Sequence, residues 1–366
     1  MPRARLLSGD VIGNSASVSR PACVSRAIAT VLLCWLIFLC GELAVQGMYY
    51  WHNRQGIFAI LQGKERYQFL PGNLKLLNPR ASRPDFRINA LGLRDDEVAM
   101  PKPTGHLRIA IVGGSSVMGE KARINESRFS DIMRQDLVTR YDEKIDVLNV
   151  GVSGASLHDL GALVSYITTH AAPDIIVLYP GGNDISQACV TTPKAQHIRA
   201  PQPSLPAWWL STSKLRDKTM QFRAGARTNL TGSPASKLDL ADYTGRLTAV
   251  VNGAKAAGQK VYLMTNARAF GRDQSSDTLE RASASFRNFA SCFSPGELAD
   301  EFDAANEQIR LVAQNTSVQL IDTGRIIPHD EKLFADSVHF SELGEHRVAE
   351  ILESALSAEF KDLTRP

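Results

Sequence analysis

Residues 109–119 read IAIVGGSSVMG, and this stretch decides how the rest of the chain is interpreted. Its first four residues favour a buried β-strand, and the two glycines after them are turn residues. Ser115 and Ser116 follow directly, before the next amphipathic stretch begins. Either a serine stands at the end of a strand as a nucleophile, or both belong to an ordinary polar turn. The residues after the other strands distinguish these interpretations.

Beyond residue 106 the chain alternates β-rich runs with amphipathic helical stretches. The predicted strands are 107–112, 145–150, 174–179, 260–265 and 317–321. Because these runs are mainly apolar, the strands should be buried on both faces, as in a parallel sheet covered by helices. The helical patterns include 127–142 and 342–360. The predicted fold is therefore α/β, a doubly wound parallel sheet of about five strands, with functional residues beyond their carboxyl ends.

The composition is that of a globular protein and gives little sign of unusual partners. Of 366 residues, 44% are hydrophobic and 22% are charged. A formal net charge of +3 is too small to predict a nucleic-acid partner. The five cysteines lack metal-ligand spacing such as Cys-x-x-Cys, so neither a metal ion nor another cofactor is predicted.

The N-terminal region contains an apolar segment, 27–51, whose first part, 27–41, is uncharged. Its length suffices to span the ~30 Å hydrocarbon core of a membrane as a helix. Tyr49, Tyr50 and Trp51 close it like an interfacial aromatic belt. A cleaved signal peptide and a buried core helix are the alternatives. The long preceding stretch and the lack of an Ala-x-Ala site favour an uncleaved anchor.

Residues with catalytic chemistry follow four of the predicted strands. They are Ser115, Gly154, Asn183 and the pair Asp336 and His339. A serine hydroxyl is a poor nucleophile until an imidazole accepts its proton. Asp336 can hold the Nδ1 proton of His339, which leaves Nε2 for the serine. The backbone amides of Ser115 and Gly154 and the side chain of Asn183 are the predicted oxyanion donors.

Each of these motifs also has a purely structural interpretation. Gly-Gly-Ser-Ser and Gly-Asn-Asp are both common in turns, and Gly151 and Gly154 can serve tight turns or close helix packing. The spacing Asp-x-x-His also arises by chance. However, all four motifs occur in one chain, each after its own predicted strand. Their placement favours a shared site for acyl transfer.

The four motifs resemble the signature blocks of the SGNH hydrolase superfamily, the GDSL-type esterases and lipases. The matching residues are Gly113, Gly114 and Ser115 in the first block, Asn149, Gly151 and Gly154 in the second, Gly181, Asn183 and Asp184 in the third, and Asp336 and His339 in the last. The resemblance extends over about residues 86–360. It includes INALGLRDDE at 88–97, which is similar to the lead-in of membrane-anchored bacterial members with a Gly-Gly-Ser first block. Gly114 replaces the usual Asp, which is not a reacting group, so the departure concerns the subfamily.

The resemblance implies a serine esterase in which Ser115, His339 and Asp336 form the triad and Ser116 shapes the turn. The implied substrate is an ester, either an O-acetylated cell-envelope carbohydrate or a lipid ester. One alternative is an O-acetyltransferase acting on an extracytoplasmic polysaccharide with the same serine. A binding module without catalysis is disfavoured because the reacting residues are all present.

The predicted organisation is a cytoplasmic tail (1–26), a transmembrane anchor (27–51), a linker and lead-in (52–105) and an SGNH hydrolase domain (106–362). The anchor would be single-pass in the inner membrane, with the catalytic domain in the periplasm. In that oxidising compartment Cys189 and Cys292 could pair, which the sequence leaves open.

A cap-like insertion is predicted at 187–239, beside Asn183. Its Trp208 and Trp209 are candidates for stacking on sugar rings, and its basic residues are suited to an anionic polymer. The alternative is a solvated loop whose tryptophans pack on the domain. Arg268, which follows the fourth strand, is a further candidate substrate contact.

Overall fold

The computed structural model describes residues 20–53, 62, 66–141, 144–189 and 237–364. Residues 1–19 of the predicted cytoplasmic tail (1–26) lie outside these residues. The same holds for the predicted cap-like insertion, of which only its two ends are described.

The described strands form an antiparallel hairpin and a five-stranded sheet. The strands are β1 (Tyr67–Leu70), β2 (Leu74–Leu77), β3 (Leu107–Gly113), β4 (Ile145–Gly151), β5 (Ile175–Tyr179), β6 (Lys260–Met264) and β7 (Gln319–Ile321). In the larger sheet the order is β4-β3-β5-β6-β7, and every neighbouring pair is parallel. The predicted parallel sheet is confirmed, and each strand lies within its predicted run or ends one residue later.

The helices follow the strands as expected for a doubly wound fold. The α-helices are α1 (Arg20–Asn53), α2 (Ser115–Met118), α3 (Phe129–Tyr141), α4 (Leu157–Ala171), α5 (Asn183–Ala188), α6 (Leu240–Ala256), α7 (Ser276–Arg287), α8 (Pro295–Thr316), α9 (Thr323–Ile326) and α10 (Glu342–Leu356). Short 3₁₀ turns occupy Pro71–Asn73, Pro79–Ala81, Asn125–Ser127, Glu331–Leu333 and Ser357–Thr364.

The helices pack in two groups around the sheet. Helix α3 packs against α10, whereas α6 packs against both α4 and α8. The strand residues between these layers, such as Val112, Leu148, Val177 and Leu263, are buried. Burial of such apolar surface contributes about 25 cal/mol per Å² to folding. Because the same layers fix all the strand ends, they also fix the loops that leave those ends.

The lead-in segment contributes to the same hydrophobic core as the sheet. Leu76 of β2 and Leu93 are both fully buried in that core. The backbone N–H of Leu77 donates to the carbonyl oxygen of Gly92 at 2.9 Å. The domain boundary at residue 106 remains a prediction, but the hairpin packs on the domain that it precedes.

Helix α1 contains a candidate membrane span, Ser25–Met48, which has 24 residues and a mean hydropathy of 2.3. Among the described helices it is the one that is long and apolar enough to cross a membrane. A signal sequence gives the same pattern near an N-terminus. The apolar helix is therefore established, and its role as an anchor remains a proposal.

Cys189 and Cys292 form a disulfide bond, with their Cα atoms 5.4 Å apart. The bond joins the residue after α5 to the connection between α7 and α8. The pairing that the sequence left open is thus present in the fold. It holds the start of the predicted cap-like insertion against the body of the domain.

Candidate active site

Three of the predicted residues form a continuous chain of hydrogen bonds at the carboxyl end of the sheet. The Oγ atom of Ser115 lies 2.8 Å from Nε2 of His339. The Nδ1 atom of His339 lies 2.9 Å from Oδ1 and 2.8 Å from Oδ2 of Asp336. In this geometry Asp336 can fix the tautomer that leaves Nε2 free to accept the serine proton.

Ser115 owes its position to a close approach between α2 and the neighbouring strands. It is the first residue of α2, two positions after β3 ends. A Cβ atom on Gly113 would overlap the side chain of Val117, and one on Gly151 would overlap the backbone of Met118. These glycines let the short helix sit directly on the sheet. Of the two structural roles considered for Gly151, a tight turn and close helix packing, the structure shows close packing.

Asn149 holds α2 in place through hydrogen bonds, and its side chain does not line the cavity beside Ser115. Its side-chain nitrogen donates to the carbonyl oxygen of Val117 at 2.6 Å and to Oγ of Ser130 at 2.8 Å. Its Oδ1 accepts the N–H of Gly151 at 3.1 Å. Every polar atom of this buried amide is therefore used. The second signature block thus supports α2, the helix that begins at Ser115, through Asn149.

Two charged residues of INALGLRDDE, Arg94 and Asp95, also hold α2 and Asn149 in place, which the sequence did not reveal. Arg94 donates to the carbonyl oxygen of Gly119 at 2.5 Å and to that of Ala122 at 3.0 Å. Asp95 accepts the backbone N–H of Asn149 at 2.8 Å. Burial lowers the pKa of Arg94 to about 9, with the charge of Arg128 adding to the effect. The lead-in therefore ties the end of α2 and the start of the second block into one buried network.

The loop that carries His339 is held from both sides. Oδ1 of Asp336 accepts the backbone N–H groups of Val338 at 3.1 Å and of His339 at 3.0 Å. The hydroxyl of Ser116 donates to the carbonyl oxygen of Val338 at 3.1 Å. The two adjacent serines thus contact the same loop in different ways, since Ser115 meets the imidazole and Ser116 meets the backbone.

The surroundings of Asp336 keep it ionised. Burial alone would raise its pKa, but the hydrogen bond and charge of His339 and the two backbone N–H donors outweigh burial and bring the pKa well below its usual value. Nζ of Lys121 lies 3.3 Å from Oδ2 of Asp336. A carboxylate in this state can stabilise the imidazolium that forms when His339 accepts a proton.

The predicted oxyanion donors surround the same space as Ser115. Gly154 has a φ of +80°, in the left-handed region that favours glycine. One N–H of the Asn183 side chain donates to the carbonyl oxygen of Ala155 at 2.8 Å, which leaves its second N–H available. Within the part of the chain that the structure describes, the backbone N–H groups of Ser115 and Gly154 donate to no other group.

These residues line a cavity of about 640 Å³. The aromatic residues that line it are Tyr179, Phe286, Phe289 and Phe302. Besides Asp336 and His339, the lining residues with acidic or basic side chains are Lys75, Glu120 and Lys121. Phe289 is 76% exposed, so it stands at the rim. The two lysines and Glu120 were not singled out from the sequence, because their approach to the cavity depends on tertiary packing.

Of the three predicted substrate contacts, Trp208 and Trp209 lie outside the described residues and Arg268 lies within them. Arg268 is 2% exposed and is absent from the cavity lining, so the structure does not place it as a substrate contact. Its guanidinium donates to the carbonyl oxygen of Phe270 at 2.8 Å and pairs with Asp303 at 2.7 Å. The chain after β6 turns this side chain into the domain, where it binds the loop to α8.

The sequence matches the model of the GDSL-like lipase/acylhydrolase family over residues 111–347. That range covers more than half of the chain and contains all three members of the hydrogen-bonded chain. The protein belongs to this family and is a hydrolase that acts on ester bonds. The comparison with curated proteins gives no match.

Solved structures with a similar chain course include two acetyl xylan esterases and a lipase/acylhydrolase. The acetyl xylan esterase AlAXEase has 18% identity and a TM-score of 0.43, over 68% of this chain and 100% of that one. A catalytic mutant of an acetylxylan esterase from Geobacillus stearothermophilus has 18% identity and a TM-score of 0.43, over 70% and 96%. The lipase/acylhydrolase from Enterococcus faecalis has 14% identity and a TM-score of 0.43, over 69% of this chain and 96% of that one. Membership of the family rests on the sequence model.

Proposed function

We propose that this chain is a serine esterase in which Ser115 is the nucleophile, His339 the general base and Asp336 the residue that orients it. The observation that carries the proposal is the unbroken chain from Ser115 through His339 to Asp336 at hydrogen-bond distances. The ionised state of Asp336 supports its part in this chain. The backbone N–H of Ser115, that of Gly154 and the side chain of Asn183 form the proposed oxyanion hole.

In the first half of the reaction, Oγ of Ser115 attacks the ester carbonyl carbon while Nε2 of His339 takes the hydroxyl proton. The carbonyl oxygen becomes negative and accepts hydrogen bonds from the three donors. The tetrahedral intermediate then collapses, the bond to the alcohol breaks, and His339 returns its proton to the leaving alcohol. The products of this half are an acyl ester on Ser115 and a free alcohol.

In the second half, water attacks the carbonyl carbon of the acyl-enzyme and gives a proton to His339. The bond to Oγ breaks, the carboxylic acid leaves, and Ser115 recovers its proton from His339. Asp336 stays ionised throughout and stabilises each imidazolium. A family assignment as acylhydrolase supports water as the acceptor.

The proposed substrate is an O-acetylated carbohydrate of the cell envelope. The cavity combines aromatic walls with charged and hydrogen-bonding groups, which suits a polar ring that carries a small acyl group. The exposed ring of Phe289 at the rim offers a surface on which a sugar ring can stack. A lipid ester is the competing substrate, and it would draw on the aromatic wall alone.

We also propose that α1 is an uncleaved, single-pass anchor and that the hydrolase domain lies on the extracytoplasmic side of the membrane. The apolar span Ser25–Met48 supports the anchor. The Cys189–Cys292 disulfide supports an oxidising compartment for the domain. A C-terminal alkaline phosphatase fusion should be active and a C-terminal green fluorescent protein fusion dark. The reverse pattern contradicts this topology.

The function is tested with the full-length protein in detergent, supplied with p-nitrophenyl acetate, acetylated oligosaccharides and p-nitrophenyl palmitate. We expect release of acetate from the first two substrates and little release of palmitate. Ser115→Ala provides the matched control. Turnover of the palmitate ester alone would overturn the carbohydrate substrate but would leave the serine mechanism intact.

Transfer to a sugar hydroxyl is the alternative use of the same acyl-enzyme. It is distinguished by adding an unacetylated oligosaccharide to the reaction with p-nitrophenyl acetate. A hydrolase releases one acetate for each p-nitrophenol, whatever the acceptor concentration. Acetate that falls below p-nitrophenol as acetylated oligosaccharide accumulates would identify a transferase.

A further inference from the structure

Lys75, a residue of the lead-in hairpin, reaches the cavity from outside the residues matched by the family model. It lies on β2, and its Nζ donates to the carbonyl oxygen of Ser153 at 2.8 Å. The same ammonium group lies 3.9 Å from the centre of the Tyr67 ring on β1. A Cβ atom built on Gly154 would lie 4.0 Å from this Nζ. The lysine is therefore directly beside the proposed oxyanion donor Gly154.

The carbonyl group of Ser153 and the N–H of Gly154 belong to one peptide unit. In a trans peptide the C=O and N–H bonds point in opposite directions, and resonance couples the two ends. A cation that binds the oxygen therefore polarises the N–H at the other end, as in a cooperative hydrogen-bond chain. It also fixes the rotation of the unit, which matters because Gly154 has φ of +80° and no side chain to hold it.

We propose that Lys75 is a positioning residue for the oxyanion hole: its ammonium group holds the Ser153–Gly154 peptide in place and strengthens the N–H of Gly154 as a hydrogen-bond donor. This inference rests on the proposed function, in which Gly154 is one of the oxyanion donors. It makes the β1–β2 hairpin part of the catalytic apparatus, whereas the sequence predicted only a linker and lead-in there.

The charges that face Lys75 are Asp159 of α4, Glu120 after α2 and Arg66 before β1. Glu120 is itself paired with Arg66 at 2.8 Å. Burial lowers the pKa of Lys75 to about 8, with Asp159 and Glu120 opposing this effect and Arg66 adding to it. The lysine is thus charged at neutral pH and loses its charge as the pH rises through about 8.

The charge of Lys75 makes kcat depend on pH. Below about pH 8 the peptide is held by a cation, and the oxyanion hole has its full strength. Above it, a neutral amine polarises the peptide less, so kcat should decline on the alkaline side. Arginine stays charged across this range, whereas methionine is neutral at every pH.

The test compares kcat and KM of the full-length protein with Lys75→Met and Lys75→Arg, on p-nitrophenyl acetate between pH 6 and pH 10. The rate in buffer without protein is subtracted at each pH as the blank for spontaneous hydrolysis, and Ser115→Ala is measured beside the other variants. We expect Lys75→Met to lower kcat about tenfold at pH 7, less than the loss of a whole donor, with KM within about twofold. The decline near pH 8 should disappear in Lys75→Met. Lys75→Arg should keep most of kcat and also lack the decline.

Lys102→Met is the matched control, since Lys102 belongs to the same lead-in segment but pairs with Asp174 at the opposite end of β5. It should keep both kcat and the alkaline decline. A rise in KM alone in Lys75→Met, or an unchanged kcat and pH profile, would overturn the role of Lys75. Turnover by Ser115→Ala would instead overturn the proposed function itself. If Lys75→Met fails to fold, an alkaline decline that persists in Lys75→Arg overturns the inference.

Discussion

The hydroxyl of Ser115 and the Nε2 atom of His339 lie 2.8 Å apart, although 224 residues separate them in the chain. Ser115 follows β3, which lies between β4 and β5 in the sheet, and His339 lies in the loop before α10. The contact exists because all five strands of the sheet are parallel and their carboxyl ends share one edge. The proposed catalytic roles all depend on this single contact.

Ser116→Ala should reduce kcat modestly, by less than about tenfold. The substitution removes the hydrogen bond to the carbonyl oxygen of Val338 but leaves the Ser115–His339 contact and the oxyanion donors. Steady-state kinetics with p-nitrophenyl acetate measure the effect. A loss as large as that of Ser115→Ala would show that Ser116 takes part in the chemistry.

Asp336→Asn should lower kcat by about 10⁴-fold, because the amide no longer stabilises the imidazolium or enforces the required tautomer. The wild-type rate should fall in acid, because a protonated imidazole cannot accept the serine proton. Asp336 has its pKa well below the usual value, so it remains ionised over that range. Loss of its negative charge disfavours the imidazolium and should move the acid limb to lower pH. A pH–rate profile in which both rate and midpoint match the wild type would remove Asp336 from the triad.

Asn183→Ala should lower kcat by about 10²–10³-fold with a smaller change in KM, as expected when one oxyanion donor is lost. The variant also loses the hydrogen bond to the carbonyl oxygen of Ala155, so its folding must be checked by thermal unfolding. Asn183→Asp is the matched variant, because it keeps the size but replaces the donor by an acceptor. An active Asn183→Asp enzyme would show that the side chain is not a donor in the reaction.

The Cys189–Cys292 disulfide should stabilise the fold by roughly 2–4 kcal/mol, because it closes a loop across 103 positions of sequence. Cys189→Ser with Cys292→Ser should therefore unfold at lower temperature than the wild type. Dithiothreitol should lower the unfolding temperature of the wild type and leave that of the double variant unchanged. An equal response of both proteins to dithiothreitol would contradict a structural role for the bond.

Much of the fold was predictable because its strands are mainly apolar and each is followed by polar or small residues. The placement of Ser115, Asn183 and His339 at one edge of the sheet was predictable for the same reason, since each was predicted to follow a different strand. The apolar strand pattern is a strong indicator, because few arrangements other than a parallel sheet covered by helices bury such strands on both faces. The five-stranded parallel sheet is confirmed.

The parts that the sequence did not predict depend on tertiary contacts. Lys75 and Lys121 are ordinary lysines in sequence, and only packing brings them to the cavity. Arg268 was predicted at the cavity because it follows β6, but the local turn directs it toward Asp303. The position of a residue after a strand indicates the edge of the sheet and not the direction of its side chain.

The most direct test of Ser115 as the nucleophile is to identify the residue that reacts with a covalent probe. The full-length protein is treated with a fluorophosphonate probe, which forms a stable adduct with an activated serine, and the labelled peptide is sequenced by mass spectrometry. We expect one adduct, on Ser115, together with complete loss of turnover, and no adduct in Ser115→Ala. An adduct on Ser116 or on another residue, accompanied by the same loss of turnover, would contradict the assignment of Ser115 as the nucleophile.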